Sequence, residues 1–145
     1  MHKWFEAVIK YEKTAEEGKI VKVTEKYLVD ALSFTEAEAR MTEEMKLFIS
    51  GEFLVANLTP KSINEIFWNE EGDKWFRAKV NFITLDEEKG VEKKTVNYMM
   101  VQATEIKDAR ENLVQGMQGS MADYEIESIS ETKILDIYKY EEKTA

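Results

Sequence analysis

Few of the residue types that do chemistry occur in this sequence. It has one histidine, His2, and no cysteine, so disulfides, thiolate metal sites and cysteine nucleophiles are excluded. A Ser-His-Asp or Cys-His centre would have to take its base from the second residue of the chain, where chains usually move freely. Zinc sites of the ordinary ligand types are out of reach for the same reason. What remains is a carboxylate-only magnesium site, with Asp30, Glu36, Glu38, Glu16, Glu17, Asp86, Glu87 and Glu88 as its candidate ligands. Each of these acids has a plainer role: those in the first turn of a helix complement its dipole, and those at hairpin tips are solvated turn residues. No EF-hand spacing, phosphate-binding loop or Rossmann glycine pattern occurs. The expectation is a protein that is not an enzyme and holds no metal or cofactor.

A second kind of chemistry is carried by tryptophan and lysine. Two of the three tryptophans stand in the same tripeptide, Lys-Trp-Phe, at Trp4 and at Trp75. In each case the alternation of the following residues places the tryptophan outward together with cations. Trp4, Lys10, Lys22 and Lys26 share one such face, and Trp75, Arg77, Lys79 and Lys94 the other. Exposed aromatics among cations form a stacking platform for single-stranded nucleic acid, with bases on the rings and phosphates on the lysines. The structural alternative is that Trp4 and Trp75 are anchors covering the open end of a sheet, and that the lysines guard strand edges.

These faces depend on a repeat. Residues 3–27 and 74–98 are identical at nine of twenty-five aligned positions, Lys3, Trp4, Phe5 and Ala7 matching Lys74, Trp75, Phe76 and Ala78. The match continues to residues 67 and 138, which predicts a tandem duplication of 3–67 and 74–138. Each copy reads as strand, hairpin, strand, helix, strand and a short last strand. In the first strands Phe5, Ala7, Ile9 and Tyr11, and later Phe76, Ala78, Val80 and Phe82, point inward at period two. One extra residue in the second copy predicts a bulge beside Met99 and Met100. The first helix starts at the capping box Ser33-Phe34-Thr35-Glu36, with Phe34, Ala37, Met41, Met45 and Phe48 as its apolar stripe. The second places Ile106, Ala109, Leu113, Met117 and Met121 on the equivalent stripe, with Thr104 as cap. The methionines read as adaptable core filler. The class expected is α+β: one compact domain over 1–145, an antiparallel sheet with helices on one face, a pseudo-twofold relation of the repeats, and a frayed tail over 139–145.

Charge narrows the partners. The chain of 145 residues carries a formal net charge of -9, which opposes generic adhesion to nucleic acid or to an anionic membrane. The distribution is uneven: the four hairpin strands, 3–13, 19–26, 74–81 and 91–98, sum to +7 and the remainder to -16. No apolar run approaches the roughly 18 residues that span a bilayer, and the N-terminus has no apolar signal region, so a cytoplasmic location is expected.

The segments "KVTEKYLVDALSFTEAEARMTEEM", "FITLDEEKG", "VQATEIKDA" and "DYEIESISETKILDIY" resemble the domain-of-unknown-function family numbered 4494, from Trp4 to about Tyr138. The resemblance implies a setting in Bacteroides-type bacteria and their phages and supplies no catalytic residues. The functional expectation is a non-enzymatic binding or adaptor protein acting through protein contacts, associated with a phage or mobile element. Its alternatives are a single-stranded nucleic-acid binder using the tryptophan faces, and an acidic nucleic-acid mimic that occupies a host enzyme. A monomer is expected, since the duplication already supplies two units; a strand edge could still pair two chains as a homodimer.

Overall fold

The computed structural model describes residues 2–140; residues 141–145 of the expected frayed tail lie outside the described residues. The fold is α+β, with eight strands and two helices among the described residues. In chain order these are β1 (Lys3–Thr14), β2 (Ile20–Ala31), α1 (Phe34–Lys46), β3 (Phe53–Lys61), β4 (Glu65–Phe67), β5 (Lys74–Asp86), β6 (Val91–Ala103), α2 (Ile106–Gly116), β7 (Asp123–Glu131) and β8 (Ile134–Tyr138).

Where the sequence suggests one compact domain with a break between residues 67 and 74, the chain divides into two compact units. Met1–Lys61 with Lys133–Ala145 forms one, and Ser62–Thr132 the other. The boundaries fall before β4 and before β8 because each short strand leaves the unit that precedes it in the chain. The sheet of the first unit runs β3-β1-β2-β8 and that of the second β4-β6-β5-β7. The expectation of purely antiparallel sheets is corrected here: β8 pairs with β2, and β4 with β6, in parallel. A strand that arrives by a crossover is not bound to the reversed direction that a hairpin imposes.

Each helix covers one face of its own sheet. In the first unit Phe5, Ala7, Ile9, Tyr27, Val29 and Ala31 meet Ala37, Met41 and Met45 of α1. In the second Phe76, Ala78, Val80, Met99, Val101 and Ala103 meet Ala109, Leu113 and Met117 on and just after α2. The period-two and helical spacings therefore identify these faces, although the stripes are shorter than the pattern suggests. Phe34 and Ile106, the first residues of their helices, are about half exposed, and Phe48 and Met121 are exposed because α1 ends at Lys46 and α2 at Gly116, before either is reached.

Local chemistry explains where the helices begin. Ser33 Oγ accepts from the Glu36 amide at 3.1 Å, and Glu36 Oε1 accepts from the Leu32 amide at 3.2 Å, a reciprocal cap shifted by one residue. Thr104 does not cap α2. Glu105 occupies that position without a side-chain bond, and Thr104 Oγ1 donates to the Glu71 carbonyl at 3.4 Å.

The bulge expected beside Met99 and Met100 is also absent, since β5 and β6 pair without a register shift from Lys74 opposite Ala103 to Asp86 opposite Val91. The extra residue is absorbed at the turn. Thr14 pairs with Ile20 around a five-residue loop, whereas Asp86 pairs with Val91 around a four-residue loop closed by Gly90 at φ 66°. Hairpin register follows loop length, so a shorter loop lengthens both strands together. Bulges lie instead against the edge strands, between Val8 and Ile9 opposite β3 and between Lys79 and Val80 opposite β7.

Candidate functional site

The tryptophan-and-lysine faces can now be located residue by residue. Trp4 is half-buried, while Trp75 is only 2% exposed. Trp75 is thus not an outward stacking surface: its ring meets that of Trp68 edge-on, with centroids 5.1 Å apart and planes at 90°. Alternation names the face of a strand but not what covers it, and the connection from β4 to β5, which carries Trp68, supplies a lid for Trp75 within the unit. Gln102 straps this connection down, accepting from the Asn69 amide at 2.9 Å and donating to the Gly72 carbonyl at 3.1 Å. Trp68, itself half exposed, is an aromatic that the sequence reading passed over.

Most of the cations on these faces are engaged. Lys26 and Lys61 flank Glu6 at 3.9 and 3.5 Å. Arg77 lies over the Tyr98 ring at 4.1 Å, a cation-π contact. Lys79 pairs with Glu127 at 2.9 Å and Lys94 with Glu125 at 2.8 Å. Asn81, buried between these pairs, donates from Nδ2 to both Glu125 and Glu127 at 3.3 Å. The Lys94 hydrogen bond, followed by that of Asn81, holds the Glu125 carboxyl below the usual carboxylate range; Lys79 and Asn81 do the same for Glu127. Reciprocally, the bonds to Glu127 and Glu125 raise Lys79 and Lys94. Of the eight candidate residues, only Lys10 and Lys22 are exposed cations without an ion pair among the described residues.

The carboxylates considered for a metal do not converge: no three metal-ligating side chains gather among the described residues. Asp30 sits instead in a cluster that joins the two ends of the described chain. His2 Nδ1 approaches Asp30 Oδ1 at 3.5 Å, and the His2 ring lies 4.0 Å from that of Tyr140. Arg40 donates to the Asp30 carbonyl and, at 3.1 Å, to the Lys139 carbonyl. Nothing local in the sequence signals this cluster, which joins residues far apart in the chain.

A concave feature of the second unit lies elsewhere. It is an open groove of about 1120 Å³ between α2 and the edge strand β7, with Ile106, Arg110 and Val114 on the helix side and Tyr124, Ile126 and Ile129 on the strand side. No helix of the described residues is long and apolar enough to cross a membrane.

Fold and site together define a small α+β protein built from two sheet-and-helix units, with a groove beside an edge strand. The chain belongs to the family described as Domain of unknown function (DUF4494), whose model matches residues 3–140. No curated protein and no solved structure matches it.

Proposed function

We propose that this is a small acidic, non-enzymatic binding protein that acts through contacts with another protein, and that it arose by tandem duplication of one strand-strand-helix-strand unit. The duplication is supported by the common order of the two sheets, each with an edge strand, the two hairpin strands and a short parallel strand. The phage or mobile-element setting and the cytoplasmic location belong to the same proposal.

One observation carries the functional reading: four of the six cations proposed for a nucleic-acid platform, Lys26, Arg77, Lys79 and Lys94, are engaged within the protein by Glu6, the Tyr98 ring, Glu127 and Glu125, which leaves Lys10 and Lys22. Lysines already paired with carboxylates release few counterions on meeting a phosphate backbone, and counterion release supplies most of the affinity in such complexes. Stacking on Trp75 is closed off by its burial. The -16 carried outside residues 3–13, 19–26, 74–81 and 91–98 offers a surface to a basic protein, which is also the basis of the nucleic-acid-mimic alternative.

The test is a titration of a fluorescent single-stranded oligonucleotide at low and moderate salt, followed by anisotropy and by tryptophan emission. It is combined with cross-linking of the tagged protein in nuclease-treated host extract. Flat titrations with a nuclease-resistant protein cross-link are expected. Saturable oligonucleotide binding that weakens with salt and quenches tryptophan would overturn the reading.

A further inference from the structure

We propose that the groove between α2 and β7 receives an extended peptide segment of a partner protein, which adds to the sheet as a strand along β7 and carries apolar side chains on either side of an acidic one. This rests on the reading that the protein acts through protein contacts, and it names the contact.

The first support is the edge itself. The two sheets end in four edge strands, and β4 and β8 are only three and five residues long. The two longer edges, β3 and β7, have nine residues each. They are not equivalent. β3 contains Pro60, which has no amide to donate, whereas β7 (Asp-Tyr-Glu-Ile-Glu-Ser-Ile-Ser-Glu) has no proline and no lysine. Proline and lysine are the usual guards against strand addition. β7 pairs with β5 on one side only, so half of its backbone donors and acceptors face away from the sheet, the template on which peptide strands add.

The second support is the helix wall. Ile106 and Val114 are 56% and 40% exposed on the groove side of α2. They are eight residues apart, or roughly 12 Å along a helix, close to the roughly 13 Å that separates residues i and i+4 of a strand. Arg110 lies midway between them. An added strand thus presents apolar side chains to Ile106 and Val114 and its intervening side chain to Arg110.

Charge selects that central side chain. Glu125 and Glu127, on the strand side, are neutralised by Lys94 and Lys79. Arg110 and Lys107 on the helix lip have no carboxylate within ion-pair distance among the described residues; Glu111 on the same helix also stands unpaired. The unspent charge of the groove is net positive at its centre, which calls for an acidic group in an otherwise apolar, extended ligand.

The probe is a synthetic nine-residue peptide with valine at its third and seventh positions, aspartate at its fifth and threonine elsewhere, with a lysine-for-aspartate peptide as control. Both are titrated into the full chain, and amide exchange is followed by NMR. The aspartate peptide is expected to bind about ten-fold more tightly than the lysine peptide, a charge reversal worth somewhat more than one exposed pair. Arg110→Glu should invert the preference, and exchange along Asp123–Glu131 should slow on binding. Peptide binding without slowed exchange along β7 would overturn the strand-addition proposal while leaving protein contact intact elsewhere on the molecule. Absence of binding by either peptide would overturn it too. The oligonucleotide titration then decides separately whether the protein-contact reading itself fails.

Discussion

Trp75 is buried edge-on against Trp68, at 5.1 Å between ring centroids, and this contact fixes the connection between β4 and β5 onto the second sheet. Edge-to-face aromatic pairs contribute about 0.5–1.5 kcal/mol beyond the apolar area they remove from water. Trp75→Ala is therefore expected to destabilise the second unit by roughly 3–5 kcal/mol, as large-to-small substitutions in a packed interior do. Trp68→Ala, at a half-exposed position, should cost less. Chemical denaturation of both single variants and the double variant closes the cycle. A Trp75→Ala protein with unchanged stability would return Trp75 to the list of binding residues.

The same connection makes a demand at Gly72. A Cβ there would meet the Ala103 backbone nitrogen at 2.5 Å, whereas one at Gly51 would meet nothing within 4 Å. Backbone cannot move aside as a side-chain tip can, so Gly72→Ala must push the connection off β6 and is expected to cost about 1–3 kcal/mol. Gly51→Ala is expected to be near neutral. Thermal unfolding of the two variants side by side checks the contrast, and equal melting temperatures would refute it.

What was legible beforehand follows a physical division. Period-two spacing identified Phe5, Ala7 and Ile9, and later Phe76, Ala78 and Val80, as helix-facing, because a strand's side chains alternate whatever its surroundings. Spacing on α1 and α2 identified Met41, Met45 and Leu113 in the same way. The other sheet face was legible only as a direction: Trp75 does point away from its helix, but Trp68 covers it through a contact that no periodicity encodes. The pairing of Lys79 with Glu127 and Lys94 with Glu125 joins residues 48 and 31 apart in sequence, so the lysines read as available cations until the neighbouring strand is placed. The parallel addition of β4 and β8 was hidden for a related reason, since Glu65–Phe67 is too short to show a period and its partner β6 starts beyond the next strand.

Those two pairs give the surface of the second sheet an acid-sensitive component. Glu125 and Glu127 have folded-state values below the ordinary carboxylate value of 4.5. A depressed carboxylate contributes stability that is present above its unfolded value and lost as pH falls through the folded one. Comparison with the Glu125→Gln, Glu127→Gln double variant isolates this component. The stability advantage of the parent protein should persist at neutral pH, shrink below about pH 4.5 and diminish with added salt, because both pairs are exposed. A difference independent of pH would show that the substitutions act through packing instead.

Alkaline pH acts on the first unit through Tyr27 and Tyr138, whose rings lie 5.8 Å apart between β2 and β8. Burial is the main cause that pushes Tyr138 up to about 12, helped by the nearby charges of Asp136, Glu44 and Glu25. Tyr27 is raised further, first by burial and then by Glu25, whose Oε1 accepts its hydroxyl at 3.3 Å. For a group raised on folding, the contribution is complete below the unfolded value, near 10, and declines as pH climbs from there toward the folded value. Between these limits an unfolded tyrosine ionises while the folded one keeps its proton, so unfolding takes up hydroxide and the first unit loosens. Tyr138→Phe removes one ionisable group but keeps the ring that packs on Tyr27. Its stability should fall less steeply than that of the parent between pH 10 and 12, although the two proteins stay close at neutral pH. Phenolate absorbance checks the cause independently: in the parent protein Tyr27 and Tyr138 should ionise late, together with unfolding, and the variant should show one fewer late-ionising tyrosine. Parallel alkaline limbs for the two proteins, with no late-ionising tyrosine, would mean that solvent reaches the β2–β8 seam and that β8 is not held in the first sheet.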